Sequence, residues 1–158
     1  MEKSTLIKSY NTNLASEYFI MSILCRAGKD AYLSLGNKKG VDIIVKTERD
    51  TICIVEVKGV SKKLDWLINN NGIFPAADNL FYALVCYNNK IHELESTPDF
   101  WVIPSLRIKE DLKFKTASNK KTVYLSNSEI QKTYSKFKNR IDILDSFLKD
   151  KEFYAHHL

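Results

Sequence analysis

Apolar and polar positions recur with two different periods along this chain, and the changes of period divide it into elements. Over residues 14–27 the spacing is helical: Leu14, Tyr18, Met21 and Cys25 share one face, Asn13 stands where a cap would, and Gly28 follows the end. Glu17 falls on that same face. Strand-like runs follow at residues 31–35, 41–46 and 51–59, the last (TICIVEVKG) being the strongest. The polar segment 47–50 between the last two predicts a hairpin. Residues 61–69, around Leu64, Trp66, Leu67 and Ile68, predict a short helix, and the loop NNNGIFP then breaks the chain.

The run LFYALVCY, residues 80–87, reads as a buried strand. A polar excursion leads to a further apolar run at 100–103, closed by Pro104, and Ser105 is placed to start a short helix. Residues 122–125 predict an edge strand. Ser126 and Glu129 have capping-box spacing, and a long amphipathic helix is expected from there to about residue 148. Its apolar seam is Ile130, Tyr134, Phe137, Ile141, Leu144 and Leu148. Docking of that seam on the body is expected ahead of a dimer coil. Lys132, Lys136 and Arg140 form a basic stripe at four-residue steps on another face, open to two readings: a solvated face or nucleic-acid contact.

The element order is helix, three strands, helix, strand, strand, helix. That order fits one mixed α/β domain with a central sheet flanked by helices. A length of 158 residues suits a single domain, and the balance of 44% hydrophobic and 27% charged residues is that of a globular chain. No apolar run approaches the roughly 20 residues that span a bilayer, and the first ten residues hold no hydrophobic segment of a secretory signal. A cytoplasmic protein is the expectation. Cys25, Cys53 and Cys86 lie far apart inside apolar stretches, without metal-ligand spacing, so reduced core thiols are expected.

Charge adds an asymmetry. Residues 1–104 carry twelve basic and twelve acidic side chains, whereas residues 105–158 carry twelve basic and seven acidic, the whole of the net charge of +5. A basic segment beside a neutral body suits a polyanion, because each Lys or Arg at a phosphate releases a condensed counterion.

The chemistry concentrates on the strongest strand. With period two, Ile52, Ile54, Glu56 and Lys58 share one face. In an antiparallel hairpin the start of one strand lies opposite the end of the other, so Asp42 and Glu56 face each other at one end of the sheet. Glu17 adds a third carboxylate from the helix. Carboxylates in apolar, β-rich surroundings are costly unless paired or bound to a cation. Three carboxylates against one Lys leave an excess of negative charge that a divalent ion with oxygen ligands, Mg²⁺ or Mn²⁺, would resolve. The Lys58 ammonium is suited to positioning an attacking water and offsetting charge on a phosphoryl group.

Gly40-Val41-Asp42 followed by Glu56-Val57-Lys58 resembles the PD-(D/E)XK nuclease superfamily, which includes restriction-endonuclease-like enzymes and archaeal-type Holliday junction resolvases. The resemblance covers about residues 12–104. It implies a restriction-endonuclease-like αβββαβ core, to which residues 105–158 would add a basic helical extension. It further implies that Asp42, Glu56 and the backbone carbonyl of Val57 are metal ligands, that Lys58 acts on the water, and that Glu17 binds a metal directly or through water. Val41 stands where the motif has Pro, and no second Lys or Gln after the Lys58 strand is assigned to catalysis.

The expectation is therefore a magnesium-dependent endonuclease acting on DNA, with Lys132, Lys136 and Arg140 gripping the backbone. The alternative is a catalytically silent nucleic-acid-binding or partner-binding module on the same fold. A junction resolvase stays open within the nuclease reading, and symmetric cutting of a branched substrate would call for a homodimer. His92, His156 and His157 show no ligand spacing. Trp66, Phe74 and Trp101 are expected to pack rather than stack on bases, and no nucleotide-binding Gly motif occurs.

Overall fold

The computed structural model describes residues 2–34, 40–46, 52–69, 71, 73–111, 115, 116 and 122–149. Its elements run α1 (Glu2–Arg26), β1 (Asp30–Leu33), β2 (Ile43–Lys46), β3 (Ile52–Val60), β4 (Trp66–Asn69), β5 (Leu80–Cys86), β6 (Asp99–Pro104), α2 (Ser105–Asp111), β7 (Lys115–Thr116), β8 (Val123–Leu125), α3 (Asn127–Thr133), a 3₁₀ turn (Ser135–Phe137) and α4 (Asp142–Lys149). The chain is a mixed α/β fold around a five-stranded sheet of order β1-β2-β3-β5-β6. Only β3 and β5 are parallel; the other neighbours are antiparallel, including the β2–β3 pair expected as a hairpin. The connecting segment 47–50 lies outside the described residues.

Alternation along β3 sorts the core into two layers. Cys53, Val55 and Val57 join Phe81, Ala83 and Val85 of β5 under Ile20 and Leu24 of α1. Ile54 and Val60 turn the other way, towards Tyr82, Leu84 and Cys86, a layer closed by Trp66, Leu125, Ile130 and Tyr134. β5 is buried along its whole length because both of its faces are covered, which is why its sequence is a continuous apolar run.

Helix α1 begins at Glu2, well before Asn13, and its buried seam is Thr12, Ser16, Ile20 and Leu24. The expected seam of Leu14, Tyr18, Met21 and Cys25 is displaced: Tyr18 is 57% exposed and Cys25 is a surface thiol, while Cys53 and Cys86 are buried. The cause is a close crossing. A Cβ at Gly59 would lie 2.0 Å from Ser16 Oγ and 3.0 Å from the Thr12 carbonyl oxygen, so small polar residues line the helix where it meets β3. Asn13 is no cap; its Oδ1 accepts the Gly59 N–H at 3.4 Å. The helix does end as expected, with Gly28 at φ 71° and the Lys29 N–H on the Leu24 carbonyl at 3.0 Å.

Three further expectations are corrected. Residues 66–69 form a strand, not part of a helix: Trp66 and Ile68 are buried while Leu67 between them is exposed, a period of two. The Trp66 indole donates to the Val85 carbonyl at 3.1 Å, which fixes β4 above β5. The β3-to-β5 crossover thus carries a strand where the αβββαβ core would have a helix. β8 is not an edge strand either; it is the middle of a second sheet of order β4-β8-β7.

The long C-terminal helix is broken into α3, the 3₁₀ turn and α4. Between them Lys138 bridges to Trp101, and Asn139, at φ 55°, exchanges hydrogen bonds with the Phe100 backbone at 2.7 and 3.0 Å. Hydrogen bonds to the edge of β6 replace those of a continuous helix. The apolar seam consequently docks in two halves, Ile130 and Tyr134 in one core layer and Ile141 and Leu144 in the other, where Ile143, outside the expected seam, joins them; the Leu148 side chain lies outside the described residues. Ser126 precedes α3 but makes no capping bond; its hydroxyl meets that of Ser128. Among the described residues, no helix is long and apolar enough to cross a membrane.

Candidate active site

The register Ile43↔Val55 ends the β2–β3 ladder, and one step further places Asp42 beside Glu56. Val57 lies past the last paired residue, so its backbone groups on the β2 side have no strand to meet. Asp42 fills the gap: its Oδ2 accepts the Val57 N–H at 2.7 Å. By alternation the Val57 carbonyl faces the same side. Gly40, at φ 85°, makes the turn into this segment, and a Cβ there would stand 3.7 Å from Glu56 Oε2.

Glu56 is the unusual member. It is 4% exposed, a charge held inside the sheet. One oxygen, Oε1, is 2.7 Å from Lys58 Nζ, whereas Oε2 is buried and has no hydrogen-bond partner. A buried carboxylate with an unsatisfied oxygen is expensive, because desolvation is offset on one side only. Lys58 keeps a quarter of its side chain exposed, so its ammonium sits at the boundary between site and solvent.

Electrostatics bind Glu17 to the group. Burial pushes the Asp42 carboxyl above the ordinary carboxylate range; the Val57 N–H and the Lys58 ammonium pull it back, and Glu56 adds to the rise. The Glu17 carboxyl is raised by burial and then by Asp42, against the opposing pull of Lys58. Even so, among the described residues no three His, Cys, Asp or Glu side chains come together as a metal-ligand group. Glu17 shares its electrostatics with Asp42 and Lys58.

Sequence reasoning missed Tyr82. It is the Cα partner of Glu56 across the parallel β3–β5 ladder and is fully buried, with its hydroxyl donating to the Pro75 carbonyl at 3.1 Å. Burial, the charge of the adjoining Glu56 carboxylate and the approach of the hydroxyl to that carboxylate push the phenol upward, so it stays protonated beside the acid. No local signal marks such a residue, since parallel register is set by the crossover.

The basic stripe does not survive as one surface. Lys132 lies on α3, Lys136 in the 3₁₀ turn over the Phe137 ring, and Arg140 is paired with Asp142. All are exposed, but the break between the helices removes the common face. Trp66 and Trp101 are buried against each other, ring centroids 5.9 Å apart, and Phe74 packs on Tyr82. Burial pushes the Cys53 thiol up to about 12, which makes it a core thiol without reactivity.

No family model matches the chain, and no curated protein matches it. Among solved structures, a bacterial homing endonuclease is similar over 73% of this chain and 72% of its own, with 17% sequence identity and a TM-score of 0.42. A likeness of that size carries no argument about chemistry, which rests on the residues described above.

Proposed function

We propose that the chain is a metal-dependent endonuclease hydrolysing phosphodiester bonds in DNA, with Asp42, Glu56 and Lys58 at its centre. One observation carries the reading: the buried Glu56 carboxylate has one oxygen on Lys58 and the other without a partner, with Asp42 held beside it by the Val57 amide. This donor set is all oxygen and includes an orphaned atom, which fits Mg²⁺ or Mn²⁺. Asp42, Glu56 and the Val57 carbonyl would hold the ion, with Glu17 reaching it through water. When bound, it supplies Lewis-acid polarisation of a phosphoryl oxygen.

The chain's own groups supply the rest. Asp42 and Glu56 fix the geometry, because one is tied to the strand backbone and the other is enclosed by it. Lys58, at the solvent boundary, orients the attacking water and offsets negative charge as it develops on the phosphoryl oxygens. Tyr82 and the apolar layer behind Glu56 keep water from the rear of the carboxylate. The choice of DNA as substrate follows the resemblance to PD-(D/E)XK nucleases, and Lys132 is the stripe residue we retain as a backbone contact.

A silent binding module is the second reading, favoured by the direct Lys58–Glu56 ion pair and by the lack of a three-ligand group among the described residues. Metal titration separates the two. A centre of the proposed kind raises the melting temperature with millimolar Mg²⁺ or Mn²⁺ by mass action and nicks supercoiled plasmid. Absence of both effects assigns the protein to the second reading.

A further inference from the structure

Beyond the acidic centre, the same face of the central sheet carries an open cleft of about 640 Å³, lined by Lys63, Asp65, Asn127, Ser128, Gln131 and Lys132. Glu56, Lys58 and Val60 alternate onto this face, and Val60 packs into the same core layer as Trp66 and Ile130, which flank the cleft residues in sequence. Lys63 follows Lys58 by five residues. At about 3.3–3.6 Å per extended residue their Cα atoms are at most about 18 Å apart, a span of a few nucleotides.

The lining has the chemistry of an anion seat. Lys63 and Lys132 face it from two different elements, and both are exposed. Asn127 is 5% exposed; its Oδ1 accepts from Gln131 Nε2 at 2.5 Å, which orients the amide and leaves Nδ2 buried without an acceptor. Asp65 is the one acid, and its Oδ1 is already engaged by the Asn127 N–H at 2.9 Å. Two ammonium groups over a polar cleft favour a phosphodiester oxygen, and the oriented Asn127 amide lies in the wall beneath them.

We infer that this cleft seats a backbone phosphate of the nucleic-acid substrate, a few nucleotides from the bond cleaved at Glu56 and Lys58. The inference rests on the nuclease reading for its purpose, but its test does not depend on cleavage. Duplex DNA binding is measured by fluorescence anisotropy without divalent metal, over a range of salt, for the full chain and for Lys63→Gln/Lys132→Gln. Loss of the one phosphate held between them makes the slope of log K against log salt shallower by about 0.9. The matched variant Lys136→Gln/Arg140→Gln removes two exposed charges away from the cleft and is expected to leave the slope nearly unchanged.

All four positions are exposed, so both variants are expected to keep the fold, which their melting curves check. Equal slopes for the cleft variant and the unaltered chain overturn the inference, as do equal losses in both variants or no DNA binding by the unaltered chain. Loss of the slope in the cleft variant together with absence of Mg²⁺-dependent nicking keeps the cleft and discards the nuclease.

Discussion

Asp42 Oδ2 accepts the Val57 N–H at 2.7 Å where strand pairing between β2 and β3 has stopped. A side chain thus takes the place of a missing strand and, in doing so, is held next to a second acid. That arrangement costs stability, since burial and Glu56 raise the Asp42 carboxyl despite Lys58.

Asp42→Asn keeps an oxygen for the Val57 N–H and removes the charge. A carboxyl raised in the folded state favours folding most below its unfolded value, and that contribution is lost as pH rises through the folded value. The variant should therefore melt above the unaltered chain at neutral pH without metal, and the gap should close as pH falls through the carboxylate range. Millimolar Mg²⁺ should raise the melting temperature of the unaltered chain more, and nicking by the variant should fall by about 10²-fold or more. Calorimetry across pH, with and without metal, reads both; an Asn variant less stable at pH 7 would contradict the assignment.

Glu56 and Lys58 should behave as a coupled pair. Lys58→Met leaves the buried carboxylate uncompensated and should cost about 3 kcal/mol, the lower end for a broken buried pair given the partial exposure of Lys58. Adding Glu56→Gln should recover a large part of that loss, which urea unfolding of the two single variants and the double variant measures. Lys58→Met should also lower kcat for nicking by about 10²–10³-fold.

The crossing of α1 and β3 at Gly59 leaves no room for a methyl group. Gly59→Ala should destabilise the fold by about 1–3 kcal/mol through overpacking against Ser16 and Thr12. Because the helix must move away, Glu17 is displaced from Asp42 and Lys58, and cleavage should drop further than stability accounts for. A Gly59→Ala chain as stable as the original would show that the helix does not approach this closely.

Asn139 is tested by a pair of substitutions. Asn139→Ala loses the side-chain bond to the Phe100 N–H and meets the cost of a positive φ, for an expected loss of about 1–3 kcal/mol. Asn139→Gly loses the same bond without the backbone cost and should be the milder change. Equal denaturation midpoints for both would argue against the left-handed turn that separates α3 from α4.

Local pattern carried a good deal of this protein. The β-branched runs at 43–46 and 52–60, the antiparallel pairing across them, and the stop at Gly28 are all properties of residues close together in sequence. The nearness of Asp42, Glu56 and Lys58 was legible for the same reason: antiparallel pairing of two neighbouring strands turns spacing into adjacency. The buried seam of α1 was not, because it follows Gly59, a residue more than thirty positions away.

Tertiary contact alone decided that Trp66–Asn69 is a strand, since a four-residue apolar run suits either period until an indole finds the Val85 carbonyl. It likewise decided that the C-terminal seam divides at Asn139, where the edge of β6 offers hydrogen bonds that compete with the helix. Sequence periodicity determines which side chains share a face, because backbone geometry repeats. Which face is covered, and which acid keeps an unsatisfied oxygen, depends on what the rest of the chain brings against it.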